Sequence, residues 1–248
     1  MSDFAAVRRL LGGTDSLTVL TGAGVSAESG IPTFRGSQGL WRQFRAEDLA
    51  TPRAFGRNPR LVWEWYDWRR GLIADAAPNG AHMALVALEG TIPSFSLITQ
   101  NVDGLHDRAG SRNILKVHGD IWWVRCSTCG VRKVDLRTPL PVLPPLCTDC
   151  GGVLRPDVVW FGESLPADVW DAAERAARQA RIFLVAGTSA QVYPAAGLAR
   201  IAKSAGATVI EVNPEESGVS SLANYVLRGP AGQILPQLVP QPALPEDQ

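Results

Sequence analysis

The sequence predicts an α/β fold: a Rossmann-type doubly wound parallel sheet with a small domain beside it. Three observations predict it. Apolar, strand-like runs alternate with helix-like segments, and each run ends in small or polar residues. The first such run, 17–20, feeds Thr21-Gly22-Ala23-Gly24, a glycine turn of the kind that closes a dinucleotide site at the carboxyl edge of a parallel sheet. The rhythm breaks once, between 126 and 154, where Cys126-x-x-Cys129 and Cys147-x-x-Cys150 stand seventeen residues apart. That is the spacing of a four-thiolate zinc ribbon, so the second domain is expected to contain one.

The elements follow in order. Phe4, Val7, Leu10 and Leu11 recur at helical spacing over 3–11. After strand 17–21, Gly22 and Gly24 carry no Cβ to keep a backbone from a pyrophosphate, although a tight turn packed on a helix would use the same glycines. The third glycine is displaced to Gly30, and Ile31-Pro32 stops a regular helix from starting at once. Phe34-Arg35 then offers an aromatic plate and a permanent cation. Asn58-Pro59 is an N-cap and first-turn pair opening a helix over 60–76, and a second helix spans 81–89 before Gly90. Strand 95–99 leads into Gln100-Asn101-Val102-Asp103, and strand 114–117 into His118-Gly119-Asp120. Beyond the cysteines come helix 167–180, strand 182–186 with Gly187-Thr188-Ser189, helix 195–205, and strand 208–212 with Asn213-Pro214-Glu215. The proline-rich end from Pro236 onward reads as a loose tail.

Composition narrows the function classes. The chain has 248 residues, is 46% hydrophobic and carries a formal net charge of zero. This is enough for one large α/β domain with an insert, and it argues against a broad nucleic-acid surface. No apolar run reaches membrane-spanning length, and the N-terminal segment resembles an amphipathic helix more than a signal peptide, so a cytoplasmic protein is expected. Four thiolates leave no open coordination position, which predicts one structural Zn2+ rather than a catalytic one. Of the three histidines, His82 reads as a packed or surface helix residue and His106 is open to either role. His118 stands at a strand end, where such a sheet presents its chemistry, and is the candidate general base. Gln100, Asn101 and Asp103 suit a carboxamide or ribose hydroxyls, or a hydrogen-bonded turn.

Taken together, Gly-Ala-Gly-Val-Ser at 22–26, Gly-Ile-Pro-Thr-Phe-Arg at 30–35, Thr-Gln-Asn-Val-Asp at 99–103, His118-Gly119, the two cysteine pairs, Phe161-Gly162-Glu163, Gly187-Thr188-Ser189 and Asn213-Pro214 resemble the sirtuins, in the sirtuin order. The resemblance implies NAD-dependent removal of acyl groups from protein lysines, yielding nicotinamide, O-acyl-ADP-ribose and free lysine. It implies a discontinuous NAD-binding domain (1–36, 79–120 and 156–248), a helical part of the small domain (37–78) and a zinc module (121–155). It places NAD against Gly22, Ala23, Gly24, Ser26, Ser29, Gly30, Thr33, Phe34, Arg35 and Trp41. Further contacts come from Gln100, Asn101, Val102 and Asp103, then from Gly187, Thr188, Ser189, Asn213, Pro214, Glu215 and Ala231. Asn101 and His118 become the catalytic residues, His118 taking a proton from a ribose hydroxyl; Phe34 would cover the ribose once nicotinamide leaves. Val159, Trp160, Phe161 and Gly162 would hold the substrate peptide. Nicotinamide is expected to be an inhibitor as well as a product, and the protein to be a monomer. The short termini suggest a catalytic core of bacterial or archaeal type.

Tyr66 and Arg69, three apart on helix 60–76, share one face and suit a carboxylate. Within the sirtuin frame the pair resembles the class III pattern, associated with succinyl and malonyl removal, and Ala50 and Ala54 match the same class by leaving the pocket wide. Two rivals fit less well. A dehydrogenase needs a fuller Gly-x-Gly-x-x-Gly helix start, and a zinc-ribbon nucleic-acid adaptor needs a basic stripe. Mono-ADP-ribosyl transfer, which cleaves the same cofactor, remains open as a side activity.

Overall fold

Residues 3–34 and 45–240 are described in a computed structural model. The chain runs α1 (Asp3–Gly13), β1 (Ser16–Thr21), α2 (Ala46–Leu49), α3 (Pro52–Arg57), α4 (Pro59–Asp75), α5 (Gly80–Thr91), β2 (Ser94–Thr99), α6 (Leu105–Ala109) and β3 (Ile114–Lys116). It continues with β4 (Gly119–Cys126), β5 (Arg132–Val134), β6 (Leu154–Val158), α7 (Ala167–Gln179), β7 (Ile182–Ala186), α8 (Leu198–Ser204), β8 (Thr208–Val212), β9 (Tyr225–Leu227) and α9 (Ala231–Leu238).

Six strands form a parallel sheet in the order β3-β2-β1-β7-β8-β9. The order reverses between β1 and β7, whose last residues Thr21 and Ala186 are paired, so the loops leaving both strands open side by side at one edge. Alternation along the strands sorts side chains between two cores. Leu17 and Val19 of β1 and Leu184 and Ala186 of β7 join the side covered by α1, α5 and α9, while Leu20, Phe183 and Val185 join the side of α7 and α8. A third cluster joins α4 to the antiparallel sheet β5-β4-β6 and includes Cys126 and Cys147.

Strands β1, β7 and β8, with their polar ends, lie where the pattern predicts. Elsewhere the structure corrects the sequence reading. The helix expected over 195–205 starts as a 3-10 turn, Ala195–Gly197, before α8. The first residues of the tail expected from Pro236 onward are instead the end of α9, with Leu235 and Leu238 wholly buried; residues 241–248 of that expected tail lie outside the described residues. Proline forfeits one helix bond there, but α9 lies so close to α5 that a Cβ on Gly80 would sit 2.7 Å from the Gly232 carbonyl oxygen. That close packing holds the helix through its proline. Strand β6 reads Leu154-Arg155-Pro156-Asp157-Val158, a poor strand by local pattern, yet all five residues are buried. Among the described residues, no helix is long and apolar enough to cross a membrane.

Candidate active site

The strand-end loops enclose a cavity of about 700 Å³ along the carboxyl edge of the large sheet, extending to α4 and the segment after β6. Its floor is an interlock of two loops. A Cβ on Gly24 would sit 2.8 Å from the Gly187 carbonyl oxygen, and one on Gly22 would sit 2.6 Å from Thr188 Cβ. Gly187, at φ +58, has the reciprocal constraint: its Cβ would lie 2.4 Å from the Val25 amide nitrogen. These glycines therefore answer first to each other, and their interlock brings the backbone of Gly22, Ala23, Gly24, Gly187, Thr188 and Ser189 to the cavity wall.

At the ends of β2 and β3, Gln100, Asn101, Val102 and His118 line the same cavity. The Asn101 side-chain amide donates to the Gly22 carbonyl (3.1 Å) and to Ser26 Oγ (3.2 Å), and Ser26 Oγ donates to Asp103 Oδ2 (2.8 Å). Ser26 and Asp103 thus stand behind Asn101, with Asp103 only 4% exposed. Burial raises the Asp103 carboxyl above the usual carboxylate range, against the Leu105 amide and the Ser26 hydroxyl, which pull it down. His118 Nδ1 lies 3.0 Å from the Gln100 carbonyl oxygen, an acceptor only, so Nδ1 carries the proton and Nε2 is left as the acceptor. Burial also lowers the His118 pKa, with the Gln100 carbonyl opposing, which favours the neutral ring.

Toward α4 the lining is aromatic, with one cation among the described residues. Arg69 is 5% exposed; its guanidinium carbon lies 4.7 Å from the centroid of Phe34 and 5.0 Å from that of Trp65. Among the described residues no carboxylate forms an ion pair with it. Tyr66, 3% exposed, takes a 2.9 Å hydrogen bond from Trp160 Nε1, and burial pushes its pKa up to about 12. Tyr66, Arg69 and Ala50 all line the cavity, whereas Ala54 is buried behind it. Val159, Trp160, Phe161 and Gly162 form a facing wall. Three amides of that wall already bond within the chain: Val159 to the His118 carbonyl, Trp160 to Glu163, and Phe161 to the Ala50 carbonyl.

At the far end, Asn213, Pro214 and Glu215 line the cavity, and the Asn213 side chain donates to the Glu215 carbonyl at 3.0 Å. Pro230 takes the wall position that the sequence reading gave to Ala231, which is 1% exposed at the start of α9. Thr33 and Phe34 line the cavity as expected; Ser29 accepts from the Asn79 amide group and Gly30 turns the chain at φ +85. Arg35 and Trp41 lie outside the described residues. Trp65, Glu163 and the exposed Tyr193, to which the sequence reading gave no site role, are all in the wall. A hint was available for Glu163, since Arg155, eight residues earlier, is a cation inside an apolar run.

Cys126, Cys129, Cys147 and Cys150 have their sulfurs within 4.8 Å of one another, with Cys126 to Cys150 at 3.5 Å and Cys129 to Cys147 at 3.8 Å. Zinc–sulfur bonds of about 2.3 Å in a tetrahedron put sulfurs about 3.8 Å apart, so the set fits one structural zinc and closes it to solvent ligands. Gly130 and Gly151, both at φ +74, turn the chain after each pair. The Cys129 amide, donating to Cys126, holds that thiol down at about 6.

The Sir2 family pattern matches residues 22–194. The chain is 59% identical over 209 residues to an NAD-dependent protein deacylase of Aquifex aeolicus (strain VF5), covering 84% of this chain and 87% of that one. Among solved structures it is similar to a Sir2 homologue–NAD complex, with 48% identity and a TM-score of 0.89 over 95% of this chain and 92% of the other. It is also similar to a Sir2–p53 peptide–NAD+ complex, with 31% identity and a TM-score of 0.83 over 95% of each chain.

Proposed function

The chain belongs to the Sir2 family of NAD-dependent protein deacylases, and from that premise we propose that it prefers acyl-lysines whose acyl group ends in a carboxylate, succinyl and malonyl, while retaining acetyl-lysine as a substrate. The observation that carries this reading is Arg69. A guanidinium 5% exposed, wedged between two aromatic rings, feels the Asp103 carboxylate electrostatically but has no carboxylate in contact with it among the described residues, so it is a buried charge without a direct ion pair. Such a charge is expensive unless a ligand completes it. The cavity that Arg69 lines also holds the Tyr66 hydroxyl, protonated at all working pH values, as a second donor. Ala50 leaves the approach wide.

The roles of the other residues follow as part of the same proposal. NAD supplies the ribose that receives the acyl group, with nicotinamide as its leaving group. The interlocked Gly22–Gly24 and Gly187–Ser189 backbones hold its pyrophosphate, and Asn213 and Glu215 its adenosine ribose. Asn101, held by Gly22 and Ser26, positions the nicotinamide end with Asp103 behind it. Phe34 shields the ribose from water once nicotinamide has left. His118, with Nδ1 committed to Gln100, takes the proton of a ribose hydroxyl at Nε2 so that its oxygen can attack the bound acyl carbon.

The test compares kcat/KM on matched succinyl-lysine and acetyl-lysine peptides, following nicotinamide release. A charge-assisted bond contributes about 1.5–3 kcal/mol, so Tyr66→Phe with Arg69→Met is expected to lower succinyl-lysine efficiency roughly 10- to 150-fold more than acetyl-lysine efficiency. Equal losses on both peptides would refute the carboxylate reading and leave a deacetylase.

A further inference from the structure

Tyr66 has one hydrogen to give, and its neighbours decide where that hydrogen points. An indole N–H donates only, so the 2.9 Å contact from Trp160 Nε1 makes the phenol oxygen an acceptor. The phenolic hydrogen is turned away from Trp160, and among the described residues no other group bonds to that hydroxyl. It is left for whatever enters the cavity.

The indole itself is held by an arrangement of its own, in which Arg155 reaches it from behind the cavity wall and Glu163 from within that wall. The Arg155 guanidinium carbon lies 3.5 Å from the centroid of the Trp160 ring. Arg155 makes a two-pronged pair with Glu163, Nη1 to Oε1 at 2.6 Å and Nη2 to Oε2 at 2.9 Å, and Nη2 also donates to the Val158 carbonyl at 2.9 Å. Glu163 Oε2 accepts from the Trp160 amide as well, at 2.9 Å. One carboxylate therefore grips both the backbone of Trp160 and the cation placed over its ring. Phe55, with its ring centroid 5.2 Å away, confines the indole further.

We propose that the Arg155–Glu163 pair is a positioning device for acyl-group selectivity: it fixes the Trp160 indole so that its N–H occupies the Tyr66 oxygen, which leaves Tyr66 able to act only as a donor toward the acyl end of the cavity. The inference rests on the carboxylate reading of the same site. Two donors from one helix face, the Tyr66 hydroxyl and the Arg69 guanidinium, match an acyl carboxylate and give nothing to a methyl group. If the indole were free to tilt, the phenol could turn its hydrogen elsewhere, and the match would weaken without any contact to substrate being removed.

The experiment measures the ratio of succinyl-lysine to acetyl-lysine kcat/KM in wild-type protein, Tyr66→Phe, Arg155→Lys and the Arg155→Lys/Tyr66→Phe double variant. Lysine keeps the charge opposite Glu163 but loses the planar face and the fork. Arg155→Lys is expected to lower the ratio about tenfold, through a raised KM for the succinyl peptide. The double variant is expected to fall no further than Tyr66→Phe, because Arg155 acts through that hydroxyl. An unchanged ratio in Arg155→Lys, or losses that multiply in the double variant, would overturn the proposal. Should Arg155→Lys fold poorly, Trp160→Phe removes the N–H and keeps a ring beneath Arg155; it is expected to show the same loss of ratio, and an unchanged ratio there would count equally against the idea. If Tyr66→Phe itself leaves the ratio intact, the Tyr66 hydroxyl is no donor to the acyl group and this inference falls, while the carboxylate reading stands or falls separately with Arg69→Met. If only the Arg155 and Trp160 variants leave it intact, the positioning device alone is wrong.

Discussion

His118 Nδ1 lies 3.0 Å from the carbonyl oxygen of Gln100, a bond that fixes which ring nitrogen carries the proton. Because Gln100 also donates through its side chain to Thr188 Oγ1 at 3.0 Å, the histidine's tautomer is tied to the loop after β7. His118→Ala is expected to lower turnover roughly 100- to 10,000-fold, the usual range for a lost general base. NAD binding, measured by calorimetry, should stay within a few-fold. The pH profile gives a second check. Burial lowers the His118 pKa, so the neutral base persists below its ordinary value and the acid limb of kcat/KM should lie below about pH 6.5. An acid limb above pH 7 would contradict the assignment.

The glycine interlock predicts a difference between two substitutions that look alike in sequence. Gly30 and Gly187 both have positive φ, +85 and +58, so alanine at either is strained by about 1–2 kcal/mol. Around Gly30 nothing lies within 4 Å of an added Cβ, whereas at Gly187 it would meet the Val25 amide nitrogen at 2.4 Å. Gly187→Ala should therefore lower Tm clearly more than Gly30→Ala and should weaken NAD binding, since the loops it parts both line the cavity. Equal Tm losses would mean that the loops can separate without cost.

This contrast marks how far the sequence could be read. Strands β1, β7 and β8 and their polar ends were legible because apolar alternation and strand-end residues are local signals. The interlock was not, because Gly24 and Gly187 meet across more than a hundred and sixty residues of chain. Strand β6 was missed for a related reason. Arg155 and Asp157 are buried only because Glu163 and Arg132 neutralise them, and Arg132 Nε reaches Asp157 Oδ2 at 2.6 Å from another strand. The spacing of Tyr66 and Arg69 placed them on one face, but Phe34 and Trp65 decide that the face is a cavity wall.

His82 and His106, read from sequence as a packed or surface helix residue and an undecided one, form a buried pair with ring centroids 4.8 Å apart. Burial lowers their pKa values to about 4 and about 3, the latter helped by the neighbouring His82 and Lys116. Both folded-state values lie below the unfolded value of about 6.5, so between these limits the unfolded chain binds more protons and stability falls as pH falls. From pH 6.5 to 5.5 the two histidines together should remove about 2 kcal/mol. Urea unfolding at the two pH values measures it, and His106→Gln should remove about half of the pH dependence. A stability that rises on acidification over this range would show that the pair is charged when folded.

Zinc removal tests how the two halves of the site depend on each other. Cys126 and Cys147 belong to the same apolar cluster as Tyr66 and Trp160, while none of the cluster around β1 and β7 contains a cysteine. Cys126 also ends β4, the strand that begins at Gly119 beside His118. Structural zinc contributes about 10–16 kcal/mol in small zinc peptides, far more than a few buried side chains could replace. Stripping the metal, or making Cys147→Ser, should therefore loosen the acyl wall first. Peptide deacylation is expected to be lost while NAD binding to the strand-end loops of the six-stranded sheet survives. The measurement is NAD calorimetry beside nicotinamide release on chelated protein with confirmed metal loss. Full activity without zinc would remove its structural role; loss of NAD binding in step with activity would show that the zinc module and the large sheet fold as one unit.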